Sequence, residues 1–369
     1  MKNLTLLLSA TALAAGLTSL QAQYTIAPLA TFGGDGWLAP GEGGYTFLGT
    51  GNLERGLAYG NSQIYLVSRN GGSNLRRLDP LTGSDLGSPL SVAGISGGTF
   101  AVNTVGVAGD GAIYVNNLTT QSTTTPYKVY RWANDAATPT VAFSGNPLAG
   151  SRVGDSLDVV GSGSGTRVVS GFGSSPAVAG NNGYTVIDPT AGTATTVAFA
   201  GTPPAAGDFR LGITFTDAAH VLGSQGSSLM RYTEFSGTTG SLLGSPATTS
   251  ASERLMDYTV LYGIPMLATI DTASSLVRVY DLTDPLSPVL LLSGNNTSGT
   301  LTGNANGTGA VAWGGVTANP DGTATVALYA MSSNQGIQAF TVTIIPEPAS
   351  ASVLGLGLAA LLLVRRKRA

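Results

Sequence analysis

The chain contains no cysteine and one histidine, His220. The first absence excludes a disulfide framework, a thiolate nucleophile and a Cys-ligated metal. The second excludes a multi-His metal centre. Charge is scarce as well: Asp, Glu, Lys and Arg make up 10% of the 369 residues, 17 basic against 20 acidic. Setting aside Lys2 and the four basic residues at 365–368 leaves 12 basic against 20 acidic residues, a balance of −8. That sign opposes contact with a phosphate backbone, so no nucleic-acid partner is expected. No phosphate-binding loop, dinucleotide fingerprint or metal-ligand spacing occurs, so neither cofactor nor metal is expected.

What is present is glycine (52 residues) and 43% hydrophobic residues, a composition too apolar for disorder and suited to short strands joined by tight turns. The body repeats one unit of an inner strand, a strongly apolar strand and a third strand ending in a turn. Its copies begin at Arg55–Tyr59, Thr104–Ala108, Ser156–Val160, Leu211–Phe215, Leu255–Thr259 and Ala310–Trp313. Aligning Ile64, Ile113, Arg167, His220, Met266 and Ala327 gives steps of 49, 54, 53, 46 and 61 residues. Such a period, with three or four strands per unit, predicts an all-β fold, a β-propeller of six blades. A fourth strand follows several units, as at Thr140–Phe143, Thr195–Phe199 and Val289–Leu292. The sixth unit has none, and Tyr24–Leu29 is expected to serve as its outer strand, closing the ring. Seven blades, or a pair of β-sandwiches, are the rival architectures. In pattern the body resembles bacterial propellers of the lactonase or quinoprotein-like kind, without a signature that selects one family.

The two ends read differently from the body. Residues 1–22 carry Lys2 and then an uncharged, mostly apolar stretch, the pattern of a signal peptide preceding a body at 23–345. Residues 346–369 begin with Pro346-Glu347-Pro348. An uncharged segment at 349–364 follows, then Arg365-Arg366-Lys367-Arg368. As a helix the uncharged segment spans roughly 24 Å, short against a hydrocarbon core of ~30 Å. The basic residues would stay cytoplasmic as a membrane stop. The ordered triplet resembles the PEP-CTERM sorting signal of Gram-negative surface proteins. That resemblance implies an exosortase-like enzyme as partner and an inner-membrane-anchored precursor delivered to the cell surface or extracellular matrix.

Candidate chemistry in the body is sparse. Asp79, Asp188 and Asp281 recur at one place in the unit and read as turn formers, since Asp hydrogen-bonds the backbone two residues on. Gly161-Ser-Gly-Ser-Gly165 has the letters of a nucleophile elbow but lies between short strands and reads as a turn. Asp155 and Asp158, three apart, are expected on opposite faces of a strand, which does not support a glycosidase pair, although carboxylates of different units can meet in a channel. No catalytic residue is assigned. Arg55, Arg152, Arg210 and Arg254 each stand at or before an inner strand. Clustered at one mouth they would bind an anion or acidic sugar through paired hydrogen bonds; alternatively each fastens a neighbouring blade through a carboxylate. Trp37, Trp132 and Trp313 are either core or sugar-stacking platforms.

Two functions follow. One is a non-catalytic binding or structural protein of the cell surface, with an exopolysaccharide or another surface protein as partner. The other is a secreted hydrolase or lyase acting on a sugar or lactone, which requires two carboxylates, or His220 with a carboxylate, in the channel.

Overall fold

The computed structural model describes residues 23–227, 229–298 and 301–345. The expected signal peptide at 1–22, the motif Pro346-Glu347-Pro348, the apolar segment 349–364 and the basic residues Arg365, Arg366, Lys367 and Arg368 all lie outside the described residues. Among the described residues no helix is long and apolar enough to cross a membrane, and the only helical turns are single 3-10 turns at Glu42–Gly44 and Gly163–Gly165.

The chain divides into two compact units. Of the smaller, the described residues are 23–25, 317–325 and 343–345. It contains the Asp321-Gly322 turn, where Asp321 accepts hydrogen bonds from the amide and hydroxyl of Thr323. The larger, 26–316 with 326–342, is all-β and propeller-like.

Its sheets follow the repeat. The strands β3 (Glu54–Gly60), β4 (Gln63–Ser68) and β5 (Asn74–Leu78) form a three-stranded sheet. Next come β6 (Phe100–Val107), β7 (Ile113–Leu118), β8 (Tyr127–Trp132) and β9 (Thr140–Gly145). Two further quartets are β10 (Asp158–Val160), β11 (Arg167–Gly171), β12 (Tyr184–Asp188), β13 (Thr193–Phe199), and β14 (Gly212–Phe215), β15 (His220–Ser224), β16 (Arg231–Ser236), β17 (Thr239–Gly244). They join as one eight-stranded sheet through a two-residue parallel pairing of β13 with β17. Its end strands β10 and β14 also lie against each other, so the sheet is nearly closed. The strands β18 (Glu253–Leu261), β19 (Ile264–Asp271), β20 (Val277–Asp281) and β21 (Val289–Gly294) make another sheet. In the last, β22 (Gly309–Ala318), β23 (Ala324–Ser332) and β24 (Ile337–Ile345) are joined by β1 (Gln23–Pro28) at the outer edge, as the sequence led us to expect, while β2 (Trp37–Leu38) pairs with β24.

The burial of each strand explains its sequence. Every residue of β4 and β7 is buried: β4 is apolar from Ile64 to Val67, while β7 carries Asn116 and Asn117 among its apolar residues. By contrast, the outer strand β17 alternates between exposed and half-buried positions. The core lies between successive sheets in separate clusters. One packs Leu57, Ile64 and Leu66 against Tyr329, Met331 and Ile337. Another sets Tyr65 and Val67 against Val105, Ile113 and Trp132. The first junction is also hydrogen-bonded, from Tyr329 Oη to the Pro80 carbonyl (2.8 Å) and from Ser333 Oγ to the Glu54 carbonyl (2.5 Å).

Three details depart from expectation. The strand β10 starts at Asp158 rather than Ser156, which leaves Asp155 outside it. The outer strand β17 was not singled out in the sequence. The junction of β13 with β17 depends on two outer edges meeting, which no local pattern records.

Candidate functional site

The inner strands β3, β6, β10, β14, β18 and β22 border a cavity of about 140 Å³ in the larger unit. Gly56 allows its close wall: a Cβ there would stand 2.7 Å from the Thr104 Cα. Leu57, Val105 and Leu157 contribute apolar lining, while Asp155, Asp158 and Asp257 contribute charge.

The four arginines singled out from the sequence gather at one rim. The hairpin register of β3 with β4 shifts between Glu54 and Gly56, leaving Arg55 without a cross-strand partner. The same shift occurs in β18 between Glu253 and Leu255, at Arg254. A bulge of this kind re-aims one side chain out of the strand's alternation. Arg152 and Arg210 come from the segments leading into β10 and β14. Three of the four converge on Asp155, which is only 5% exposed. Arg152 binds it side-on, with Nε at 2.5 Å from Oδ2 and Nη2 at 2.6 Å from Oδ1. Arg210 Nε reaches Oδ2 at 3.1 Å, and Arg55 Nη1 stands 3.7 Å from Oδ1. Arg152 and Arg210 thus have the fastening contacts expected of structural arginines, but all three share one carboxylate instead of taking one each.

Arg55 is 7% exposed and donates no hydrogen bond to the described residues; it faces the Phe100 ring at 5.0 Å. Arg69 lies over the same ring at 3.5 Å and donates to the Asn52 carbonyl. Arg254 has neither a hydrogen bond nor an ion pair among the described residues. It is nevertheless held in place between Gly226 (φ +96°) and Gly307 (φ +60°). A Cβ at either glycine would overlap its guanidinium, within 2.2 Å of Nε or 2.0 Å of Nη1.

The electrostatics show an excess of positive charge. Burial lowers the pKa of Arg55, and the charges of Arg152 and Arg210 add to the lowering against the pull of Asp155. Burial and then Arg210 lower Arg254, against the pull of Asp271. Arg69 is lowered to about 10 by burial and by Arg55. Arg152 alone is raised, by its hydrogen bonds to Asp155. All four of these guanidinium groups stay charged at neutral pH.

Two further carboxylates line the channel. Asp158 accepts from the Phe215 amide (2.7 Å), Thr214 Oγ1 (3.1 Å) and the Val159 amide (2.7 Å). Asp257 accepts from the Trp313 amide at 2.7 Å. Each therefore caps a backbone donor on the next inner strand. Burial raises Asp158, and burial together with the Asp158 charge raises Asp257 to about 7. The expectation that Asp155 and Asp158 lie on opposite faces is corrected: Asp155 precedes the strand, and both line the cavity. Asp257 was missed in the sequence, although it stands three residues after the rim residue Arg254, as Asp158 does after Asp155. Arg69 and Phe100 were missed too, since nothing local marks them.

The remaining candidates lie elsewhere. His220 Nδ1 is 2.8 Å from both oxygens of Asp217 and its ring stacks on Tyr232, away from the channel lining. Trp132 is core, Trp313 is 8% exposed in the channel wall, and Trp37 donates to the Gln335 carbonyl. Asp79, Asp188 and Asp281 cap turn amides. Among the described residues no group of three or more metal-ligating side chains forms.

Residues 44–284 match the family described as "Domain of unknown function (DUF4623)". No curated protein matches the chain. A solved structure of a DUF4623 family protein from Bacteroides eggerthii is similar at a TM-score of 0.62 and 17% identity, covering 88% of this chain and 76% of that one. The periplasmic gluconolactonase of Pseudomonas aeruginosa is similar at a TM-score of 0.42 and 14% identity, over 80% of this chain and 88% of that one. The WD40 propeller domain of Doa1 gives 0.43 and 12%, over 83% and 97%. The family match overturns the PEP-CTERM assignment: the family found is DUF4623, through the body, and the body expected to have no identified family has one.

Proposed function

We propose that this chain, which belongs to the DUF4623 family, is a non-catalytic binding protein that takes an anionic ligand at the arginine rim of its channel. The observation that carries the reading is the charge imbalance there. Arg55, Arg152 and Arg210 share the single carboxylate of Asp155, and Arg254 has no ion pair among the described residues. Clustered guanidinium groups repel one another, and an anion would relieve the repulsion through charge-assisted hydrogen bonds. The proposal includes six blades, counting the eight-stranded sheet as two quartets joined by a short parallel pairing. It also includes export, on the basis of residues 1–22, and an acidic glycan or surface protein as the bearer of the anion.

A second reading, hydrolysis of a sugar or lactone, is favoured by the presence of Asp158 and Asp257 in one channel. Against it, both carboxylates are occupied by backbone amides.

Titration calorimetry of the full chain with acidic and neutral oligosaccharides tests the two. We expect binding of acidic members only, weakening with salt, and unchanged ligand on recovery. Ligand cleavage that disappears in Asp257→Asn would replace the binding reading with the hydrolytic one.

A further inference from the structure

We infer that the arginine rim is built for a tetrahedral dianion, a phosphate group with three free oxygens, rather than for the planar carboxylate of an acidic sugar. The inference rests on the rim being an anion site and names its ligand chemistry. Three guanidinium groups retain unused donors and come from three places along the chain. Among the described residues Arg55 donates no hydrogen bond, Arg254 donates none, and Arg210 commits only Nε, to Asp155. They are electrostatic neighbours: the charge of Arg210 lowers both Arg55 and Arg254. A carboxylate offers two oxygens and one negative charge, whereas a phosphate monoester offers three acceptor oxygens and close to two charges at neutral pH. Three forks and three oxygens match. The charge favours it as well: Arg55, Arg152, Arg210 and Arg254 carry four positive charges against the one of Asp155, a surplus that a dianion offsets further than a single carboxylate does. The site is also pre-formed. Gly226 and Gly307 hold Arg254 in place, and Phe100 backs Arg55. The rim therefore loses little side-chain freedom on binding. Asp155 is the positioning residue, orienting Arg152 and Arg210 while leaving their outward donors free.

Isothermal calorimetry on the full chain at low salt tests this with inorganic phosphate, sulfate, glucose 6-phosphate, acetate and glucuronate. Phosphate at pH 8 should bind at least tenfold more tightly than acetate or glucuronate, with sulfate close to phosphate. Phosphate affinity should fall below about pH 6, where the dianion takes up a proton, while sulfate affinity stays level. Equal affinity for phosphate and glucose 6-phosphate would identify a free anion as the ligand; tighter binding of the ester would identify a group carried on a larger molecule. Arg254→Gln, with its fold checked by near-ultraviolet circular dichroism, should lose tenfold or more. Arg254→Lys should recover part of that loss, and Arg167→Gln, away from the rim, should change nothing. Glucuronate binding as tightly as phosphate would overturn the dianion inference and leave the anion-binding reading standing. Failure of every anion to bind would remove both.

Discussion

Two inner strands of this protein share most of a sentence and say different things with it. The strand β3 reads Glu54-Arg-Gly-Leu-Ala-Tyr59, and β18 reads Glu253-Arg-Leu-Met-Asp-Tyr258. Both bulge at the arginine and aim it at the channel rim. The glutamates then part company. Glu253 accepts from Arg278 at 2.6 Å and Tyr280 at 2.7 Å. Among the side chains of the described residues Glu54 receives a hydrogen bond from Ser68 Oγ alone, at 3.3 Å, and its other oxygen is buried without a hydrogen-bond partner. Burial raises the pKa of both, opposed for Glu253 by Tyr280 and Arg278 and for Glu54 chiefly by weaker backbone and Ser68 contacts. The same dipeptide thus makes a structural ion pair in one sheet and, in another, a buried acid with no ion pair among the described residues. The lesson is that the bulge is encoded locally, whereas the partner of the glutamate is supplied by strands further along.

The comparison is sharpened most by replacing each glutamate with its isostere. Glu253→Gln leaves Arg278 buried with only Asp271, 3.8 Å away, and should cost about 3 kcal/mol in urea unfolding at pH 7. Glu54→Gln should be neutral or stabilising. Because the folded pKa of Glu54 is raised, its contribution is full below its unfolded pKa and is lost as pH rises through the folded value, so the glutamine gains on the wild type with rising pH. Equal losses for the two variants would show that the strands are equivalent after all.

A smaller effect separates Asp257 from its counterpart Ala58. The Asp257 pKa moves from 3.8 up to about 7, so stability attached to this group is full below about pH 4 and lost as pH rises to 7 and beyond. Asp257→Asn keeps an acceptor for the Trp313 amide and removes repulsion with Asp158. It should flatten the stability profile across that window and add about 2 kcal/mol at pH 8, allowing for solvent in the channel. A profile unchanged from wild type would mean that the two aspartates do not interact. The smallest effect is expected at Gly56, where the close approach of Thr104 leaves no room for a methyl group. Gly56→Ala should cost about 1.5 kcal/mol, although β18 carries leucine after its own arginine; no loss would show that the β3–β6 approach relaxes easily.

Much of the framework was readable from short-range pattern. The strand β4 occupies the very residues its apolar run marks, and the Asp-Pro and Asp-Gly turns bind their own amides because that chemistry spans only two or three residues. The arginines were readable as a set because each precedes or opens an inner strand. Asp155 and Asp257 were not readable in their roles. Asp155 has one partner close in sequence, Arg152, but the partners that define the roles lie 55 and 56 residues away, Arg210 for one and Trp313 for the other, and no periodicity connects them.

The repeating strands, their turns, the acidic balance and the positions of the rim arginines are all written in the chain, since they follow from composition and local alternation. Tertiary packing alone sets three arginines on one carboxylate, leaves Arg254 without an ion pair among the described residues, and brings two aspartates to the same channel. Each of those outcomes depends on how strands from different sheets are brought side by side. Packing between sheets sets that arrangement, and it fixes which charges are neutralised and which remain for a ligand.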